Sequence, residues 1–214
     1  MVERLLALSP ILVIASGNAG KVREFAHLLA DLPLEIRQQP EGLEVEETGS
    51  TFAENARLKA TAVALATGCW ALADDSGLAV AALGGAPGVH SARYAASDPE
   101  RIARLLRELA AATAGSSPDR SARFTAALAV ADPSGAIVLE VEGHCPGLIL
   151  EAPRGSGGFG YDPVFHVPET GLTFAEMDKA TKGRIGHRGR AFALLEPRLK
   201  PLLGAQAFAH PSGS

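Results

Sequence analysis

Apolar positions along the chain fall into short continuous runs and helix-spaced sets, with turn-forming residues between them. "ILVIA", residues 11–15, is an apolar run of strand length and reads as a buried strand. From Lys21 the apolar positions Val22, Phe25, Leu28 and Leu29 recur at helical spacing, which predicts a helix over 20–31. Thr51 followed by Glu54 is a capping-box pattern; it opens an Ala-rich helix over 51–67 that stops at Gly68. "WALA", 70–73, and "LAVAAL", 78–83, predict two short strands on either side of Asp74-Asp75-Ser76-Gly77. Asp98-Pro99-Glu100 starts a helix that runs to about Ala114, and "GSSPDRS", 115–121, is a connector. "RFTAALAVA" and "AIVLEVEGH" form a hairpin across the turn Asp132-Pro133-Ser134-Gly135. A glycine-rich loop, 154–165, follows. The basic stretch "KGRIGHRGR" leads into a C-terminal helix ending near Leu203, and "AHPSGS" reads as a disordered tail. Early alternation of strands and helices with a later hairpin predicts an α/β fold, a mixed sheet with helices around it.

Composition narrows the function classes. The chain has 214 residues, 47% hydrophobic and 21% charged, which suits one large or two-lobed domain with a real core. A net charge of -4 argues against non-specific nucleic-acid binding, while leaving room for a local basic pocket for a small anion. Cys69 and Cys145 form no CxxC and read as two small buried hydrophobes. "LLALSPILVIASG" has the look of an export signal, but Glu3 offsets Arg4 and Pro10 interrupts the apolar run. No apolar run reaches membrane-spanning length. A soluble, cytoplasmic protein without a membrane partner is the expectation.

Five stretches could carry chemistry. "SGNAGK", 16–21, resembles a phosphate-binding P-loop but fails it twice. The first glycine falls on Ala15, and the hydroxyl after the lysine falls on Val22. What survives is a helix N-terminus with Ser16, Asn18 and Lys21 beside it, which suits phosphate; an ordinary strand–turn–helix with a surface lysine looks the same. In "ADDSG" the two acids face opposite ways if the segment is extended, and Asp75 beside Ser76 suits Mg²⁺. Asp, Ser and Gly are equally the residues of a plain turn. In "EVEETGSTFAENARLKA" Glu54 has a capping job, so Glu47 is the acid without a structural excuse, whereas Lys59 could simply cover a helix surface. In "GSGGFGYDPVF" Phe159 could stack on a planar base and Asp162 could bind polar edges. In "KGRIGHRGRAF" Lys182, Arg184, His187, Arg188 and Arg190 form a basic cluster of hydrogen-bond donors. No clustered set of metal-ligating His and Cys occurs, and His90, His144 and His166 receive no role.

Together "SGNAGK", "EETGSTFAENARLKA", "ADDSGLAVAALGGAPGVHSARYA", "GGFGYDPVF" and "KGRIGHRGRA" resemble the inosine triphosphate pyrophosphatase family, in the family's order from Ile11 to about Leu203. The resemblance implies one two-lobed domain over 1–214, ordered from about 9 to 204, with an elongated central mixed sheet and a cleft between lobes. It implies a homodimer and a Mg²⁺-dependent cleavage of ITP, dITP or XTP into the monophosphate and pyrophosphate. By the same resemblance Ser16, Gly17, Asn18, Ala19, Gly20 and Lys21 hold the triphosphate, and Lys59 and Ser76 contact phosphates. Glu47 and Asp75 bind Mg²⁺. Asp75 accepts the proton of the attacking water, with Asp74 in support. Phe159, Gly160, Tyr161 and Asp162 line the base pocket, and Lys182, His187 and Arg188 recognise the base. Gly186 stands where many members have Ser, and Cys145 where a tryptophan is frequent. Two rival readings are a septum-formation-inhibitor-type pyrophosphatase acting on pyrimidine nucleotides and a nucleotide-binding module without turnover.

Overall fold

The computed structural model describes residues 9–112 and 119–206. The elements are β1 (Ile11–Ala15), α1 (Ala19–Leu28), β2 (Glu35–Gln38), α2 (Phe52–Thr67), β3 (Trp70–Val80), α3 (Asp98–Ala112), β4 (Ser121–Ala131), β5 (Ile137–Ile149), β6 (Phe165–Val167), β7 (Leu172–Thr173), α4 (Lys179–Ile185) and α5 (His187–Gln206). Seven strands form one mixed sheet in the order β2-β1-β3-β4-β5-β6-β7. β1 runs parallel to β2 and β3, and the remaining pairs are antiparallel. The α/β reading holds. The expected end of α3 near Ala114, much of the 115–121 connector and the tail lie outside the described residues.

Three long strands, β3, β4 and β5, run from one core to another. At one end, side-chain alternation divides the core between the two faces of the sheet. Leu72, Leu128 and Val130 pack with Phe25 of α1, with Leu29 just past its end, and with Leu195 and Leu199 of α5. Ala71, Ala73, Ala127 and Ala129 pack with Ala56, Ala60 and Val63 of α2. The small side chains on this second face let α2 lie close. At the other end Leu78, Val80 and Phe124 join Ile102, Leu105 and Leu109 of α3 with Phe165 and Phe174. Cys145 is buried in that second core, and burial pushes its thiol up to about 11.

Local signals explain the helix ends. Asn18 caps α1, accepting from Gly20 N and Lys21 N at 2.8 and 3.1 Å. The Thr51–Glu54 capping box on α2 is present, and Gly68 ends that helix at φ +64°.

Two expectations need correction. Residues 70–73 and 78–83 are not two strands around a turn. β3 is continuous from Trp70 to Val80, and Ala81–Leu83 is a 3₁₀ turn. Asp74, Asp75 and Ser76 pair with Leu128, Ala127 and Ala126 of β4, and their side chains find buried partners on both faces. Tertiary pairing therefore overrides their turn propensity. The C-terminal basic stretch is also not a plain lead-in to one helix. α4 already carries Lys182 and Arg184, and the chain breaks at Gly186 before α5 begins at His187. A Cβ at Gly186 would lie 2.6 Å from Lys182 O, so the residue that departs from the family pattern is fitted to a tight elbow.

Candidate active site

The ladder between β1 and β3 ends at the pair Ala15↔Ala73. Beyond it β3 keeps its partner on the β4 side, and its other edge opens beside the turn that follows β1. Ligands in α/β sheets gather outside the carboxyl ends of parallel strands, and this is such a place. Asp74 and Asp75 stand at the start of the open edge and point to opposite faces.

On the α1 and α5 face, Asp74 Oδ2 lies 2.7 Å from Lys21 Nζ and 3.3 Å from Arg188 Nε, and it accepts from Ser76 Oγ at 3.0 Å. Burial opposes ionisation, yet Arg188 and Lys21 hold the Asp74 carboxyl well below the usual carboxylate range. Arg188 also donates to Glu24 Oε2 at 2.8 Å and to Ser76 Oγ at 2.5 Å. Lys182 lies 2.9 Å from Glu24 Oε1 and 2.6 Å from Asp162 Oδ2. Glu24 was missed by the sequence reading. It sits one turn into a helix with no motif of its own, three residues after Lys21.

On the α2 face, Lys59 Nζ lies between Glu47 Oε1 at 2.8 Å and Asp75 Oδ1 at 2.7 Å. Asn55 Nδ2 donates to Asp75 Oδ2 at 3.2 Å, and Arg93 Nη1 lies 2.5 Å from Glu47 Oε2. Lys59 is therefore no surface cover; its side chain is 13% exposed. Burial raises the Asp75 pKa above its ordinary value even against Lys59, whereas Glu47, though partly buried, is drawn below its own by Lys59 and Arg93.

The loop 154–165 wraps over the first face. Asp162 Oδ2 accepts from Phe159 N at 2.9 Å and closes the loop. Gly158, at φ +71°, is needed there, because a Cβ would lie 1.9 Å from Asp162 Oδ2. Phe159 rests on Gly20, where a Cβ would come within 2.8 Å of its ring, and it lies under Lys182 and Arg188 at 5.2 and 5.4 Å. Gly160 N donates to Asp98 Oδ2 at 2.7 Å. Tyr161 is buried and donates to Ser91 O at 2.9 Å, so its ring anchors the loop from within the core.

A cavity of about 270 Å³ opens between α1, this loop and the α4–α5 elbow, lined by Glu24, Phe159, Phe174, Lys182, His187 and Arg188 among others. His187 stacks against Phe124 and lies beside Phe174, at 4.6 and 5.9 Å between ring centroids. Neither of its buried ring nitrogens has a hydrogen-bond partner among the described residues. Burial, reinforced by Arg188, holds His187 well below its ordinary pKa, so the ring is neutral and offers one donor and one acceptor. The unfolded chain thus takes up a proton at this histidine before the folded one does, and stability falls as pH drops below about 6.5. Urea unfolding at pH 7.5 and 5.5 is expected to show this residue costing about 1.4 kcal/mol over that interval. His187→Gln removes that part of the slope; identical slopes for the two proteins would show that the folded state protonates His187 freely.

The donor set on the α2 face fits a hard divalent cation. Oxygens of Glu47 and Asp75 converge on the single point that Lys59 Nζ fills. Among the described residues no group of three or more His, Cys, Asp or Glu could hold a metal ion. Two carboxylates completed by water and phosphate oxygens are what Mg²⁺ accepts.

The predicted residues thus gather into one region, with some roles shifted. The Asn18 side chain is occupied as a cap, and Ser16 Oγ accepts from Asn18 N at 3.1 Å. Lys21, in the first turn of α1, meets Asp74.

A model of the Ham1 family matches residues 12–198. The chain is 64% identical over 195 residues to a dITP/XTP pyrophosphatase of Parasynechococcus marenigrum (strain WH8102), covering 91% of this chain and 97% of that one. It is 56% identical over 200 residues to a dITP/XTP pyrophosphatase of Nostoc sp. (strain PCC 7120 / SAG 25.82 / UTEX 2576), covering 94% and 100%. Among solved structures, a HAM1 protein from Coxiella burnetii matches with a TM-score of 0.81 at 45% identity, over 90% of this chain and 99% of that one. A nucleoside-triphosphatase / dITP/XTP pyrophosphatase from Mycobacterium abscessus matches with a TM-score of 0.67 at 39% identity, over 87% and 99%.

Proposed function

The chain belongs to the Ham1 family, and from that premise we propose that it hydrolyses non-standard purine nucleoside triphosphates (dITP, ITP and XTP) to the monophosphate and pyrophosphate. One observation carries the reading. Asp74 and Asp75 are neighbours on an open strand edge, and each anchors a different cluster: a cation-rich base cavity for Asp74, a carboxylate–lysine site for Asp75. A single extended anion lying along that edge would touch both.

Each cluster has its task in this reading. Phe159 provides a face for the purine. His187 donates to the 6-oxo group of hypoxanthine or xanthine, which adenine replaces with an amino donor; adenine would leave the buried donor unpaired. Lys21, Lys59 and Ser76 serve the phosphates, along with the turn Ser16–Gly20. Asp75, with its pKa raised by burial, is the group suited to accept the proton of the attacking water. Mg²⁺ held by Glu47 and Asp75 would neutralise phosphate charge in the transition state. Action as a homodimer in the cytoplasm belongs to the same proposal. Among the described residues no helix is long and apolar enough to cross a membrane.

A nucleotide panel with product identification tests the reading. With Mg²⁺, dITP is expected to give dIMP and pyrophosphate, and orthophosphate should appear only after inorganic pyrophosphatase is added. dATP should be turned over at least about 100-fold less efficiently. Direct release of orthophosphate with a nucleoside diphosphate, or a preference for pyrimidine nucleotides, would overturn it.

A further inference from the structure

Every carboxylate oxygen of the proposed metal site already has a partner. Glu47 Oε1 and Asp75 Oδ1 share Lys59 Nζ, Glu47 Oε2 meets Arg93, and Asp75 Oδ2 accepts from Asn55. We propose that Lys59 and Arg93 stand in for the divalent metal in the free protein, and that both turn to the substrate's outer phosphates when metal and nucleotide bind together. The proposal rests on the function given above and assigns Arg93 to the phosphate side of the site.

Electrostatics require the exchange. Two carboxylates brought within reach of one ammonium repel each other unless a cation lies between them. A divalent ion in that place cannot share it with the Lys59 ammonium, and it repels the Arg93 guanidinium held on the other oxygen of Glu47. Lys59 has nowhere else to go, since its side chain is 13% exposed and its stem rises from the packed face of α2. A buried ammonium deprived of its carboxylates needs a new anion, and the triphosphate is the one at hand.

Arg93 is built differently. Its side chain is 51% exposed, so it can swing, but its backbone is fixed. It ends the 3₁₀ segment Gly88–Arg93, in which Ser91 Oγ donates to Gly88 O at 2.6 Å and accepts from Leu78 N at 2.9 Å. Tyr161 of the aromatic loop donates to Ser91 O. A long cation on a firm base beside Glu47 is suited to follow a phosphate without losing its place.

The consequence is synergy. Metal alone must displace two cations that gain nothing in return, whereas metal arriving with a phosphate chain gives both cations a partner. Mn²⁺ retained by the protein in equilibrium dialysis, with and without saturating pyrophosphate and read by electron paramagnetic resonance at matched free Mn²⁺, measures this without turnover. The wild-type protein is expected to bind Mn²⁺ weakly alone and about tenfold more tightly with pyrophosphate. Lys59→Met should bind Mn²⁺ alone about tenfold more tightly than wild type, with most of the pyrophosphate enhancement lost. Arg93→Gln, at a half-exposed position that leaves the fold intact, should shift the same way by a smaller factor and decides the matter if Lys59→Met does not fold. Free-protein Mn²⁺ affinity that is unchanged or weaker in these variants, or no Mn²⁺ binding by any of the three proteins, overturns the proposal. Failure of the wild type to release pyrophosphate from dITP would instead sink the function, and the two failures are read in separate assays.

Discussion

Asp75→Asn is expected to lower dITP hydrolysis by about 10³-fold while XTP still binds. The substitution keeps the shape and the hydrogen bond from Asn55, which Asn can still accept. It removes the proton acceptor and half of the carboxylate pair that faces Lys59. The base cavity lies on the other face of the sheet and is untouched, so nucleotide affinity should change far less than the rate. Pyrophosphate release and calorimetric XTP binding on the same preparations separate the two effects. If wild type and variant bind XTP alike and neither hydrolyses it, the chain is a binding module. Turnover by the variant within about tenfold of wild type would remove Asp75 from the proton-accepting role.

Asp74→Ala is expected to cost about 3–5 kcal/mol of stability, because it leaves the buried Lys21 ammonium without its carboxylate rather than merely deleting a contact. Lys21 loses the carboxylate of Asp74 and, among the described residues, keeps a 3.4 Å contact to the backbone carbonyl of residue 74. Arg188 keeps Glu24 and Ser76. For a chain of this length that loss corresponds to a fall in thermal midpoint of roughly 10 °C. Because Asp74 titrates far below the ordinary carboxylate range in the folded state, its contribution is fully present above about pH 4 and is lost as pH falls below that. Asp74→Asn should therefore narrow the gap to wild type under strongly acid conditions. A midpoint within about 2 °C of wild type for Asp74→Ala would show that Lys21 finds solvent or another anion without it.

Both predictions depend on one strand. β3 sets Asp74 and Asp75 on opposite faces because consecutive strand residues must alternate, and the open edge beyond Ala15↔Ala73 lets one ligand reach both.

The sequence alone determined the parts whose causes are local. The apolar run 11–15, the Thr51–Glu54 box, the stop at Gly68 and the Asp132–Gly135 turn all act within a few residues, and each forms as its pattern predicts. The residue types of the site were legible for the same reason: acids, lysines and glycines stand in five compact motifs. The tertiary structure decided what depends on partners distant in the chain. Asp74-Asp75-Ser76-Gly77 has the composition of a turn and became mid-strand because β4, Lys21, Lys59 and Arg188 satisfy it there. Tyr161 became an anchor because Ser91, 70 residues away, accepts its hydroxyl. Glu24 lies outside the quoted motifs and Arg93 lies within one but without an assigned role; each gained a role only when folding brought Arg188 and Glu47 to them. Burial and charge pairing are properties of the assembled neighbourhood, and no window of sequence contains them.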